Sequence, residues 1–132
     1  MLSEKMQKAL NEQIMKEFFS GYLYLSFEAY FRDNDLEGFA NWFRVQAQEE
    51  RDHAMKIFNY IDYAGGRIKL LSLDEPQYEF ESPMKVLEMA LGHEKKVTKS
   101  IYDLVNLARE EKDHKTDAFL QWYVNEQAEE EN

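Results

Sequence analysis

Within the run Gln48-Glu49-Glu50-Arg51-Asp52-His53, Glu50 and His53 stand three residues apart. On a helix that spacing sends both side chains out of one face, where they can converge on a single cation. The same face carries Phe39, Phe43, Ala47, Ala54, Ile57 and Ile61 at the spacing of a buried stripe. A carboxylate and an imidazole set among such residues cost free energy unless something pairs with them. Taken alone, a Glu-x-x-His in an acidic helical chain favours a simpler reading, a satisfied core histidine. The other helices must decide whether the partner is a metal ion.

Four helical patterns position these groups. Ser3 is a good N-cap, and the first helix is predicted from Glu4 to about Phe31. Its inner stripe reads Met6, Leu10, Ile14, Glu17, Phe18, Gly21, Tyr24, Leu25 and Glu28, so Glu17 lies among apolar neighbours and Tyr24 projects about two turns beyond it. Arg32-Asp33-Asn34-Asp35 is a polar break in which Asp35 is placed to cap a second helix, running to about Ala64 and stopped by Gly65-Gly66. From Arg67 to Ser82 no helical period is found. Arg67-Ile68-Lys69-Leu70 alternates like a short strand, and Asp74-Glu75-Pro76 breaks it. A connector this long can run the length of a bundle and start the next helix at the far end.

Ser82-Pro83 opens the third helix, with Leu87, Ala90, Leu91, Glu94, Val97, Ile101, Leu104, Val105 and Ala108 inward. After the turn at residues 110–115, a fourth helix begins near Thr116. It places Phe119, Trp122 and Tyr123 inward, followed by Glu126, Gln127, Glu129 and Glu130. The chain is thus predicted to be all-α over residues 1–132, a single domain. Its fold class is a ferritin-like four-helix bundle with a long connection between helices two and three and a short fourth helix.

In an up-down bundle the inner stripes bring Glu17, Glu50 with His53, Glu94, and the Gln127/Glu130 pair to one level. Several carboxylates in one apolar interior cannot all stay ionised unaided. Iron resolves the conflict, because hard carboxylate oxygens and one imidazole suit it, and two irons bridged by Glu50 use the whole set. Interruption of four stripes at matching depth turns the weak motif into a metal-site reading. His93 and His114 fall off the stripes and are expected to be solvated. Tyr24 and Trp122 read as core aromatics first, with electron delivery to an oxidised iron site as a secondary role. Glu126, Glu129 and Glu131 read as a solvated acidic helix end, from which Glu126 with Glu49 can reach a further cation.

Composition limits the alternatives. Twenty-six acidic against sixteen basic residues give a formal charge of −10, which disfavours nucleic acid as a partner. Absence of cysteine excludes disulfides, thiolate metal sites and thiol nucleophiles. No apolar run approaches membrane-spanning length, and a cytoplasmic location is expected.

The chain also resembles the prokaryotic non-haem ferritins. The resemblance rests on Ser-Gly-Tyr-Leu-Tyr-Leu-Ser (20–26), Gly-Phe-Ala-Asn-Trp-Phe (38–43), Gln-Glu-Glu-Arg-Asp-His-Ala-Met-Lys (48–56) and Ala-Gly-Gly-Arg-Ile (64–68). His-Glu-Lys-Lys-Val-Thr (93–98) and Phe-Leu-Gln-Trp-Tyr-Val-Asn-Glu-Gln-Ala-Glu-Glu-Glu (119–131) complete it. It implies a ferroxidase centre in which Glu17, Glu50 and His53 hold one iron, and Glu50, Glu94 and Glu130 the second, with Gln127 nearby. It further implies a third, transit-type iron site from Glu49, Glu126, Glu129 and Glu130, with Tyr24 beside the centre. The implied activity is Fe(II) oxidation by dioxygen or peroxide, with ferric mineral stored in a hollow homo-oligomeric shell of 24 subunits. Haem is not expected, since position 52 is Asp and not the haem-ligating Met of bacterioferritins, and rubrerythrins need cysteines that are absent. Family members continue beyond residue 132 through the rest of a fourth helix and a short fifth one that lines the fourfold axes. Without that half-helix, Val86, Leu87, Ala90, Phe27, Phe31, Phe39 and Phe43 are expected to lie bare as an apolar patch. A non-storing di-iron oxidase or peroxide scavenger, and a metal-free helical interaction module, are the competing readings.

Overall fold

The computed structural model describes residues 1–131. Four helices account for the regular structure: α1 (Glu4–Asp33), α2 (Glu37–Tyr63), α3 (Pro83–Glu110) and α4 (His114–Glu130). No strand occurs among the described residues, so the alternation at Arg67–Leu70 is extended connector, not sheet.

Each helix begins and ends for a legible reason. Ser3, Ser82 and Asp113 cap α1, α3 and α4 by accepting from the backbone N–H three residues on. The predicted cap Asp35 does something else. It has φ 57° and is the left-handed residue that closes α1, while the residue preceding α2 is Leu36, whose side chain makes no capping bond. The physical reason is a Schellman turn, in which Leu36 N–H donates to Phe31 O and Asp35 N–H to Arg32 O. The same pair of bonds recurs after α2 (Gly66 to Ile61, Gly65 to Asp62) and after α3 (Asp113 to Ala108, Lys112 to Arg109). Gly65 takes the positive φ of 80° that its turn requires.

The connector runs along α1 from one end to the other. Gln7 accepts from Arg67 N–H at 3.0 Å, and Asn11 bonds Arg67 O and Lys69 N–H, both at 2.9 Å. Further along, Ser26 donates to Gln77 O at 2.5 Å, and Phe80 packs on Phe27 and Tyr30. Gln7 to Tyr30 is about 35 Å of helix, so α3 starts at the opposite end of the bundle from the end of α2.

Two apolar clusters fill the interior. One gathers Met6, Leu10, Ile14, Ile57, Ile61, Ile101 and Leu120; the other gathers Phe27, Phe31, Ala40, Phe43 and Val86. The acidic level lies between them. Phe27, Phe31, Phe43 and Val86 are fully buried, against the expectation that they lie bare. They stack on one another and are closed over by Phe80 and Leu36, which the helical periodicity does not place. What stays uncovered is a shallower rim, with Phe39, Trp42, Leu91 and Met84 exposed and Leu87 and Ala90 half-buried. Phe39 and Leu91 sit on predicted inner stripes but lie beyond the end of α4, so no fourth helix covers them. Leu25 is likewise exposed, on the outer flank of α1.

Candidate metal centre

At the level between the two clusters, Glu17, Glu50, His53 and Glu94 are all buried, and so is Gln127 from α4. Glu130, the last residue of α4, is half-buried beside them. Their ligand atoms converge in three overlapping groups, each within 4.8 Å: Glu17, Glu50 and His53; Glu50, Glu94 and Glu130; and His53, Glu126 and Glu130. Glu50 belongs to the first two and is the natural bridge. His53 Nδ1 lies 3.4 Å from Glu50 and 3.8 Å from Glu17, and its Nε2 lies 3.4 Å from Glu126.

Close approach of α1 and α2 brings these groups together. Gly21 faces α2 at this level, where a Cβ would meet Ala47 O at 3.1 Å and Glu50 Cβ at 3.6 Å. From α4, Tyr123 donates to His53 O at 2.6 Å. Gln13 donates to Glu17 Oε1 at 3.1 Å, fixing one oxygen and leaving the other free. Glu94 is held at both oxygens, by the Tyr24 hydroxyl on one and by Gln127 Nε2 at 3.2 Å on the other. Gln127 therefore presents its amide hydrogens to Glu94, which makes it a support for that carboxylate.

The remaining valences test whether a cation fits. Glu17 Oε2, both Glu50 oxygens and His53 Nδ1 are buried and have no hydrogen-bond partner. Unpartnered buried polar atoms are rare, because each forfeits its hydration for nothing. All four point into one space and are hard or borderline donors suited to iron. The electrostatics carry the same mark. Burial, followed by the charges of Glu17 and Glu94, pushes Glu50 up to about 10. Burial opposes a charged His53, but Glu17 and Glu50 outweigh it and raise its pKa to about 11. Burial also raises Glu130, to about 7, with help from Glu94 and Glu49. Glu17 is lowered, since contacts with His53, Glu50 and Gln13 overcome its burial. Without a cation, protons held on Glu50 and His53 offset the negative charge gathered there.

Other expected residues fall differently. Glu49 is half-buried and Glu129 exposed, and neither joins a ligand group, although Glu126 and Glu130 do. His93 is not solvated. It is half-buried between Phe19 and Tyr24, and its Nε2 bonds Ser20 Oγ at 2.7 Å. His114 is exposed as expected. Trp122 is not a core residue but 39% exposed, its ring edge-on to His53 at 5.3 Å and capped by Lys56 Nζ at 3.7 Å. It roofs the imidazole. Glu28 is buried away from the centre and pairs with Arg32 and Arg44 at 2.6 and 3.0 Å. Sequence reasoning missed Gln13 and Thr98, each four residues from a ligand on its own helix, where the i,i+4 neighbour rule finds them.

The same fold recurs in known proteins. A model of the ferritin-like domain matches residues 7–132. Bacterial non-heme ferritin from Staphylococcus aureus (strain USA300) is 39% identical over 132 residues, 100% of this chain and 80% of that protein. Among solved structures, an open-pore ferritin from the hyperthermophilic archaeon Archaeoglobus fulgidus superposes with a TM-score of 0.98 at 53% identity, covering 99% of this chain and 81% of that one. A Chlorobium tepidum ferritin gives 0.97 at 43% identity, covering 99% and 80%. A four-helix bundle with an end-to-end connector, a buried carboxylate–histidine level, and these likenesses along its length make this chain a member of the ferritin family.

Proposed function

We propose that the chain is a ferroxidase and iron-storage subunit: it binds two Fe(II) per chain as substrate, oxidises them to Fe(III) with dioxygen or peroxide as electron acceptor, and passes the product to a ferric mineral inside an oligomeric shell. The observation that carries this reading is the set of four buried, unpartnered ligand atoms on Glu17, Glu50 and His53. Glu17, Glu50 and His53 hold the first ion, and Glu50, Glu94 and Glu130 the second. Carboxylates favour Fe(III) over Fe(II), so this donor set assists the loss of an electron from each ion. Gln13, Tyr24 and Gln127 fix the carboxylates that bind. Trp122 over His53 limits access of water from the α4 side. A third ion, at His53, Glu126 and Glu130 with Glu49 and Glu129 at its margin, would lie on a path in or out. The absent Met at position 52 supports a centre without haem.

An oligomer is supported by the outer face of α1 and α2. Tyr22, Leu25 and Leu73 are exposed there and, with Phe18, Arg44 and Arg51, line a cleft of about 520 Å³. No helix is long and apolar enough to cross a membrane among the described residues, in keeping with a cytoplasmic site of action. Anaerobic Fe(II) titration tests the centre, and saturation near two ions per chain is expected. Light scattering tests the shell. A small oligomer that oxidises Fe(II) yet retains no mineral points to the non-storing oxidase instead.

Proton release gives an independent measurement. At pH 7.5 Glu50 and His53, raised to about 10 and 11, carry protons that an incoming cation must displace. The first ion is expected to release about two protons, and affinity rises with pH. Below pH 7 the second ion must also displace the proton of Glu130, so its pH dependence steepens there. A pH-stat titration showing no release at pH 7.5 contradicts this assignment.

A further inference from the structure

Thr98 lies one turn beyond Glu94 on α3 and is buried, although it touches no ion-binding group directed at the centre. Its hydroxyl joins three elements. It accepts from Gln127 Nε2 at 3.1 Å, and it donates either to Glu131 Oε2 at 2.5 Å or to Glu94 O at 3.0 Å. Gln127 is itself buried, and its amide has two possible orientations that differ by exchange of oxygen and nitrogen. In isolation a threonine hydroxyl suits either orientation, accepting from the NH2 group or donating to the amide oxygen. Here its one proton is already committed to an oxygen, so only its lone pairs face Gln127. The amide must then turn its hydrogens to Thr98, and the same NH2 group donates to Glu94 Oε2 at 3.2 Å.

We propose that Thr98 is a positioning residue for the second ion, fixing the orientation of the Gln127 amide so that Gln127 holds Glu94 in its ion-binding pose. This rests on the two-ion reading above. Glu94 has one oxygen bonded by Tyr24 and the other by Gln127, so its remaining lone pairs are aimed by two donors from different helices. Replacing the hydroxyl by a methyl removes the nearest of the amide's three acceptors and leaves it Glu94 Oε2 and, at 3.3 Å, Glu94 O. The amide is then tied to Glu94 alone, with no anchor one turn further along α3, and it steadies the carboxylate less well. The first ion, on Glu17, Glu50 and His53, has no part in this chain of bonds.

The test is calorimetric titration of the assembled protein with Co(II), comparing unmodified chain, Thr98→Val and Thr98→Ser, with Glu17→Gln marking which event belongs to the first ion. Loss of a group that orients a ligand typically weakens metal binding ten- to a hundredfold. Thr98→Val is expected to weaken the second event at least about tenfold, with the first within about twofold. Thr98→Ser, which restores the hydroxyl, is expected to return the second event to its original affinity. Unchanged affinity of both events in Thr98→Val overturns the proposal, as does parallel weakening of both with a lowered apo melting temperature, the signature of a merely structural role. Absence of Co(II) binding by the unmodified chain overturns the two-ion reading itself, which separates the two failures.

Discussion

A chain carrying Glu50→Gln is expected to take up neither ion, with an initial Fe(II) oxidation rate at least about a hundredfold below that of the unmodified chain. Glu50 belongs to both the first and the second ligand group, so its loss removes a donor from each. The amide cannot supply a bridging negative charge. The same variant, free of metal, is expected to be at least as stable as the parent. Both Glu50 oxygens are buried without a partner, and burial with neighbouring charge keeps the group protonated up to about 10. The parent therefore carries a strained group whose removal costs the apo fold nothing. Metal reverses the order. An ion present at about a thousand times its dissociation constant adds about 4 kcal/mol to the parent and nothing to the variant. Calorimetric melting of both chains, with and without Co(II), reads all four numbers. A variant that still binds two Co(II) per chain in calorimetric titration keeps both sites, and the bridging role of Glu50 is then wrong.

The carboxylate level was legible in the sequence because ligands in a bundle interrupt apolar stripes, and Glu17, Glu50, His53 and Glu94 each interrupt one. Helix ends were legible where a side chain caps them, at Ser3 and Ser82. They were misread at Asp35, where the deciding interaction is a backbone bond between Leu36 and Phe31 that no residue type announces. Solvent exposure followed the same division. Phe31 and Phe43 stack on each other within a cluster that Phe80 of the connector packs against, a long-range arrangement outside any helical period. Trp122 has the spacing of a buried residue but sits at the outer edge of α4, where its indole roofs His53. His93 lies off the stripe and yet finds a partner in Ser20, seventy-three residues away. Periodicity locates a face. It does not say how far the neighbouring element reaches over that face, or which polar atom waits there.

Phe43→Ala should lower the apo melting temperature by roughly 10–20 °C and weaken the second ion more than the first. Phe43 is fully buried at the centre of the upper aromatic cluster, with ring centroids 5.3 Å from Phe27, 5.6 Å from Phe31, 5.7 Å from Tyr24 and 5.0 Å from Trp42. Truncating such a side chain costs about 3–5 kcal/mol through lost burial and the cavity left behind. For a chain of this size each kcal/mol is roughly 3–5 °C. Unlike a typical core deletion, this one also reaches the chemistry. Tyr24 packs on Phe43 with one side of its ring and donates its hydroxyl to Glu94, so a cavity beneath the ring lets the hydroxyl drift from the carboxylate. The ion on Glu50, Glu94 and Glu130 then loses an oriented ligand, while Glu17, Glu50 and His53 rest on Gln13, Gly21 and Tyr123 and are spared. Phe43→Leu refills most of the volume and is expected to recover more than half of both effects. Melting curves of the three apo chains, with Co(II) titrations of each, decide the matter. A Phe43→Ala chain melting within 3 °C of the parent would show that the cluster collapses around the gap, and loss of both ions in equal measure would show that Tyr24 does not transmit the change.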